Sequence, residues 1–342
     1  MAARPRQPIH LSLAELHDWL ATGRAYDDLG AATGAPLAVV HGDGLAADDP
    51  RLAAAAAASR SLPCVLLAGP ADAGLLAPVV DAVADGDDAE AIAAQVGATP
   101  LAAAALVLLL RAAPSRSIDE GLVAESTTYS MLQGGPEFQG WRAARPVGRR
   151  AEPPGPAVVV ERHGDVVHVV LNRPHVHNAL DARVRDGLVE ALLAAGADPD
   201  ATVVLRGRGR SFCSGGDLDT FGSFPDPASA HALRLARSPA RLLAGLAGRA
   251  EVRLHGSCLG AGIELSAFAG RVVADPAARL GLPELGLGLV PGAGGTVSLP
   301  RRIGRHRTAW LALRGGTIDA ATALAWGLVD AVVPLGADGT AG

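Results

Sequence analysis

Glu264 and Glu284 lie 20 residues apart, each inside its own glycine-rich signature. Glu264 closes HGSCLGAGIEL (His255 to Leu265), and Glu284 stands at the head of LPELGLGLVPGAGGT (Leu282 to Thr296). A third small-residue turn, RSFCSGGDL (Arg210 to Leu218), precedes both. Backbone can approach a ligand closely only where side chains are small or missing. The first turn offers Gly215 and Gly216 after a strand-like run, and the second offers Gly260, Ala261 and Gly262 where a helix must begin. A helix N-terminus adds unpaired amides and a positive dipole end. Two such amides aimed at a carbonyl oxygen stabilise a thioester enolate, and losing one donor costs about 100- to 1000-fold in rate. Two carboxyls beside that oxygen supply proton transfer. The apolar neighbours Leu282, Leu285 and Leu287 favour the protonated form of one of them. Each turn alone fits a tight connection. Glu264 alone fits a dipole partner, and Pro283-Glu284 alone fits a helix start. The three together, in one order, point to a site.

HNALD (His177 to Asp181), SFCSGGDL, HGSCLGAGIEL, LPELGLGLVPGAGGT and the closing AWGLVDAVVP (Ala325 to Pro334) resemble the enoyl-CoA hydratase/isomerase (crotonase) superfamily over residues 157–334. The resemblance implies an α/β fold: a crotonase-like ββα-superhelix (spiral) core, here with a smaller, mostly helical N-terminal α/β domain. It implies an oxyanion hole from the amides of Gly216 and Ala261, with Glu264 and Glu284 in the catalytic carboxylate positions. Backbone at His177, Ala179, Ser214, Asp217, Leu218 and Asp219 then contacts coenzyme A. Gly292 lies at a helix N-terminus pointing toward the thioester carbonyl. With a glutamate at both positions, the implied reaction is hydration of a 2-enoyl-CoA thioester or the reverse dehydration. Glu264 activates water for C3 and Glu284 delivers a proton to C2. Coenzyme A arrives as part of the substrate, so no separate cofactor and no metal are expected. The family's other reactions, double-bond isomerisation and cofactor-free oxygenation, remain alternatives, as does a non-catalytic acyl-CoA-binding or assembly subunit. A homo-oligomer, trimer or dimer of trimers, is implied as well.

The bulk composition narrows the classes. The chain has 342 residues, 49% of them hydrophobic, no lysine and a formal charge of −5. A net acidic chain lacks the basic face that nucleic acid requires. Cys64, Cys213 and Cys258 form an odd set without CxxC spacing, which reads as a reducing compartment and no metal site. No cleavable leader pattern stands at the N-terminus, and the greasiest run, Ala102 to Leu110, is too short to cross a bilayer. A cytoplasmic protein without a membrane partner is the expectation. Cys213 and Cys258 lie in the glycine turns, but His255 lacks an orienting group that would make either a nucleophile. GAGGT (Gly292 to Thr296) lacks the lysine of a phosphate loop. His231, Arg234, Arg237 and Arg241 stand at helical spacing. They read either as a solvated face or as recognition of coenzyme A phosphates or a polar acyl group.

The positioning elements follow from periodicity. Arg142 to Val158 concentrates proline, glycine and arginine and reads as a linker. The expected domains are 1–145, a linker at 146–156, and a core at 157–342 that carries the site. Val158 to Pro174 reads as two strands around a His-Gly-Asp turn, and Ala179 to Ala195 as a helix. Thr202 to Gly209, Glu251 to Cys258 and Gly270 to Pro276 read as strands, with a helix over Ala228 to Arg249 broken at Pro239. Strands alternating with helices imply βαβ units. Upstream, Pro36 to Gly44 and Leu62 to Pro70 read as strands around the alanine-rich helix Leu52 to Arg60. Ala71 to Ala113 and Ile118 to Trp141 read as helical. Thr99 to Ala143 resembles the C-terminal helices of the family, so it is expected to pack on the core, within the chain or across a subunit boundary. No second active site is expected.

Overall fold

The computed structural model of the chain describes residues 8–32, 34–42, 44–145, 148, 153–336 and 338–340, so the expected linker 146–156 falls mostly outside them. The N-terminal unit is a parallel sheet in which β1 (Ile9–Ser12), β2 (Leu37–His41), β3 (Val65–Ala68) and β4 (Ala82–Val83) pair in that order. Helices α1 (Leu13–Thr22), α2 (Arg24–Asp28), α3 (Pro50–Ala58) and α4 (Ala73–Leu76) connect them. β2, β3 and α3 are the expected strand–helix–strand. β1 and β4 go beyond that expectation, because four and two residues carry too little pattern to read. As in other all-parallel sheets, both faces are covered. Leu11, Val40, Leu66 and Ala68 pack with Leu13, Leu16 and Leu52 on one side. Leu37, Val65, Leu67 and Ala82 join the main core on the other.

Four helices follow: α5 (Gly86–Ala98), α6 (Pro100–Ala112), α7 (Ile118–Gln133) and α8 (Pro136–Ala144). α7 starts at a capping box, in which Ser117 Oγ accepts from Glu120 N–H (3.2 Å) and the Glu120 carboxylate accepts from Ser117 N–H (2.8 Å). Buried between α6 and the sheet, Arg111 pairs with Asp81 (2.6 Å) and donates to the carbonyls of Ser59, Leu62 and Cys64.

The C-terminal half opens with the hairpin β5 (Val158–His163) and β6 (Val166–Leu171), turning through Gly164 at φ 61°. It continues through α9 (Ala182–Gly196), β7 (Thr202–Gly207), α10 (Pro227–Ala236), α11 (Pro239–Gly245) and β8 (Ala250–Leu254). Then come β9 (Ser257–Leu259), α12 (Ala261–Ser266), β10 (Arg271–Ala274) and β11 (Arg279–Gly281). The last elements are α13 (Gly295–Arg314, bent at Gly304), β12 (Ile318–Asp319), α14 (Ala320–Trp326) and β13 (Ala331–Val332). Six strands form a sheet in the order β13-β10-β8-β7-β6-β5, parallel except at β5–β6. β12, β11 and β9 form a second, smaller sheet. The run Glu251 to Cys258, expected as one strand, therefore belongs to two. Gly256, at φ 57°, breaks it, and a Cβ there would lie 1.9 Å from the Arg210 carbonyl oxygen.

The expected packing of Thr99 to Ala143 is found within the one chain. α5, α6 and α7 lie on α13, and Leu106, Leu110 and Leu122 share a continuous core with Val297, Leu299 and Leu311. At the edge of that contact, Arg305 donates to the carbonyls of Val80 (2.8 Å) and Ala77 (2.7 Å). A fragment spanning 157–342 would leave the apolar face of α13 in water. We expect it to aggregate in light scattering where the full chain does not. A soluble, monodisperse fragment with cooperative unfolding would show α5–α8 to be an appendage.

Candidate active site

The turn after β7 is stitched to the approach of β9. Phe212 N–H donates to His255 O (2.9 Å), Cys213 N–H to Ser257 O (3.3 Å) and Leu259 N–H to Cys213 O (3.0 Å). On its other side Leu180 N–H donates to Gly215 O (2.8 Å) and Asp217 N–H to Leu180 O (2.9 Å). The Gly216 turn and the Gly260–Ala261 turn are thereby held side by side. Among the described residues, neither the Gly216 nor the Ala261 N–H donates a hydrogen bond within the protein. Backbone donors without a partner are rare away from bulk water. Both residues line one cavity of about 350 Å³.

The two expected carboxyls face the same cavity. Pairing of β9 with β11 sets Leu259 opposite Gly281, and Gly260 N–H donates to Gly281 O (2.9 Å). Glu284, three residues on, then rests against Gly260, where a Cβ would lie 2.1 Å from Glu284 Oε1. Glu264 projects from the first turn of α12, and its Oε2 accepts from Ala293 N–H (2.7 Å) and Gly295 N–H (2.8 Å).

A third carboxyl was not among the expected site residues. Glu125 of α7 accepts from Gly294 N–H (2.6 Å), Thr296 N–H (2.8 Å) and Thr296 Oγ1 (2.7 Å), and it lines the cavity. Tyr129, one turn further along α7, presses its ring on Gly292, where a Cβ would lie 2.4 Å from Cδ2. The sequence signal for both residues is GL-x-x-E followed by tyrosine, visible only within a weak resemblance of a different stretch.

All three glutamates are buried, at 2% exposure for Glu125, 1% for Glu264 and 8% for Glu284. Burial pushes each above the ordinary carboxylate range. The nearby charges of Glu284 and Glu125 push Glu264 further the same way. Hydrogen bonding opposes this unequally. Two backbone amides support an anion on Glu264 and three donors support one on Glu125. Glu284 has only its own backbone N–H in opposition, and its Oε2 is buried without a partner. The direct donors thus back an anion on Glu264 better than on Glu284, while burial and the two neighbouring carboxyls hold Glu264 well above the ordinary range.

Of the other expected site residues, Gly292 lines the cavity, three residues before α13 begins. His177, Ala179, Ser214, Asp217, Leu218 and Asp219 do not line it. His177, at φ 54°, bonds Ser211 Oγ through Nδ1 (2.9 Å), and its carbonyl accepts from Ser214 N–H (3.0 Å). Buried Arg173 donates to Ala179 O (2.6 Å) and to Asp217 (3.1 Å). Leu218 and Asp219 face Arg142 of α8. From these two stretches it is Leu180, Asp181, Ala182 and Gly216 that line the cavity itself.

The helical histidine–arginine set divides, with Arg241 on a solvated face and His231, Arg234 and Arg237 partly buried. His231 bonds Ser126 Oγ (2.9 Å), Arg237 pairs with Asp186 (3.1 Å), and Arg241 pairs with Asp119 (2.7 Å). The cysteines are buried, and burial pushes the Cys213 thiol up to about 12 and that of Cys258 higher still. His255 turns its Nε2 to Gly209 O (2.8 Å), away from either sulfur.

An enoyl-CoA hydratase/isomerase family model matches residues 161–338. A mevalonyl-coenzyme A hydratase of Beauveria bassiana is 34% identical over 180 residues, which cover 50% of this chain and 64% of that protein. A 2,3-dehydroadipyl-CoA hydratase of Escherichia coli is 37% identical over 184 residues, 52% of this chain and 69% of the relative. An enoyl-CoA hydratase structure from Thermoplasma volcanium shares 35% identity over 52% of this chain and 72% of that one, with a TM-score of 0.48.

Removing the Glu125 carboxylate strands two buried amides and one hydroxyl, each worth about 1–3 kcal/mol when left unpaired. We expect Glu125→Ala to lower unfolding stability by about 3 kcal/mol or more, and Glu125→Gln, which keeps one acceptor oxygen, to lose less. Denaturant unfolding reads both. Equal stability of the alanine variant and the parent would dissolve the assigned role of this contact.

Proposed function

The chain belongs to the enoyl-CoA hydratase/isomerase family, and on that basis we propose that it adds water across the double bond of a 2-enoyl-CoA thioester, or removes it in reverse. The observation that carries this reading is one cavity holding two unpartnered backbone N–H groups and two buried carboxyls with unequal hydrogen bonding. The thioester carbonyl oxygen accepts from the amides of Gly216 and Ala261. Negative charge gathering on that oxygen during the reaction is stabilised there. Glu264, whose anion the amides of Ala293 and Gly295 support, takes a proton from water as the water oxygen bonds C3. The π electrons of C2=C3 form the new C2–H bond with a proton from Glu284. Water is thus divided between C3 and C2, and proton exchange with solvent resets the two carboxyls. The acyl groups named for the two relatives, mevalonyl and 2,3-dehydroadipyl, differ, so family membership leaves the acyl group open.

Replacing either acid by its amide tests the pair. Glu264→Gln and Glu284→Gln should each lower kcat by about 100- to 10,000-fold, followed by loss of enoyl-thioester absorbance. The pH profile distinguishes the two roles. Glu264 must be an anion, so rate falls as pH drops through its pKa. Glu284 must carry its proton, so rate falls as pH rises through a pKa that burial holds above the ordinary carboxylate range. Near-parental hydration by either variant, or an alkaline limb within the ordinary carboxylate range, would sink the assignment.

A further inference from the structure

Arg234, on α10, is half-buried and lines the same cavity. Its partners in the protein are neutral. Nε donates to Ser126 Oγ (3.0 Å), Nη2 donates to Ser126 O (3.3 Å) and to Ser130 Oγ, and the guanidinium lies 4.8 Å above the Tyr129 ring. Among the described residues no carboxylate lies within 4.0 Å of it. The neighbouring arginines differ, since Arg237 is paired with Asp186 and Glu190, and Arg241 with Asp119. Glu125 attracts Arg234 from beyond contact, but its oxygens already accept from Gly294 and Thr296. A cation drawn partly out of water without a paired anion is costly, and its planar fork suits a carboxylate.

We propose that Arg234 binds a carboxylate on the far end of the acyl chain, so that the substrate is a coenzyme A thioester of an unsaturated dicarboxylic acid. The inference rests on the hydratase reading above. It places the reacting carbons between Glu264 and Glu284, and the free carboxylate against α7 and α10, where Tyr129 and Ser126 fix the guanidinium. Serine hydroxyls and an aromatic face orient the cation without neutralising it, which leaves its charge for the ligand.

The test is calorimetric binding of saturated acyl-CoAs in length-matched pairs: butanoyl with succinyl, hexanoyl with adipoyl, octanoyl with suberoyl. In the parent protein we expect at least one dicarboxylyl thioester to bind about tenfold or more tightly than its partner, the scale of a charge-assisted bond. Arg234→Met should abolish that preference while leaving the monocarboxylic thioesters within about threefold, and Arg234→Lys should restore part of it. Equal binding within every pair by the parent protein overturns the proposal and leaves the hydratase reading standing. A uniform loss across both series in Arg234→Met overturns it too, since the arginine would then serve the coenzyme A moiety or the helix seam. Failure of every acyl-CoA to bind the parent protein would overturn the hydratase reading and this inference with it.

Discussion

Four successive backbone amides, Ala293 to Thr296, hold the site in shape. Here the left-handed Gly294 leads into the first turn of α13, and alternate N–H groups reach different acceptors. Those of residues 293 and 295 reach Glu264, and those of 294 and 296 reach Glu125. One carboxylate comes from the core that carries the turn, the other from a helix nearly half the chain away. The two carboxyl groups clamp the strip from both flanks, which accounts for its small residues. A Cβ at Gly295 would lie 2.6 Å from Glu264 Cγ, and Gly294 adopts φ 105°. Moving either glutamate moves the strip, and with it the hydrogen bonds that support charge on the other.

The parts of this arrangement that are local were legible in the sequence. The hairpin, the break at Pro239 and the three glycine turns could be recognised because each is written in contiguous residues. The pairing of Glu264 with Glu284 across the cavity followed from family likeness, and the fold places them through the register of β9 on β11. Glu125 stayed hidden for a physical reason. A glutamate in a helix of mixed polarity looks like any solvated residue until the partner surface is known, and that surface is the start of α13. The same holds for Arg234, whose helical spacing with Arg237 and Arg241 suggested one shared role. Tertiary contacts instead gave each a different neighbour. β1 and β4 were too short to show a period, and Gly256 divided a run whose composition reads as continuous strand.

The halves are joined by two kinds of contact of unequal weight. Exposed pairs such as Arg241–Asp119 contribute about 0–1 kcal/mol each. The apolar contact of Leu106, Leu110 and Leu122 with α13 removes several large side chains from water, at about 1.5–3 kcal/mol apiece. Adhesion between the halves is therefore mainly hydrophobic, and the arginines at the seam set alignment. Polar seams of this kind fix where a helix sits along its axis, which decides whether Glu125 meets its amides.

Glu125 and Thr296 are 171 residues apart in the chain. Ribosomes add about 5–20 residues per second, so α7 emerges roughly 9–34 s before the segment it clasps. For that interval α7 has α6 and α8 to pack on but not α13, and contacts of such long sequence separation close slowly even once both ends exist. A nascent chain with this wiring carries the surface that meets α13 uncovered until the last fifth of the sequence is made.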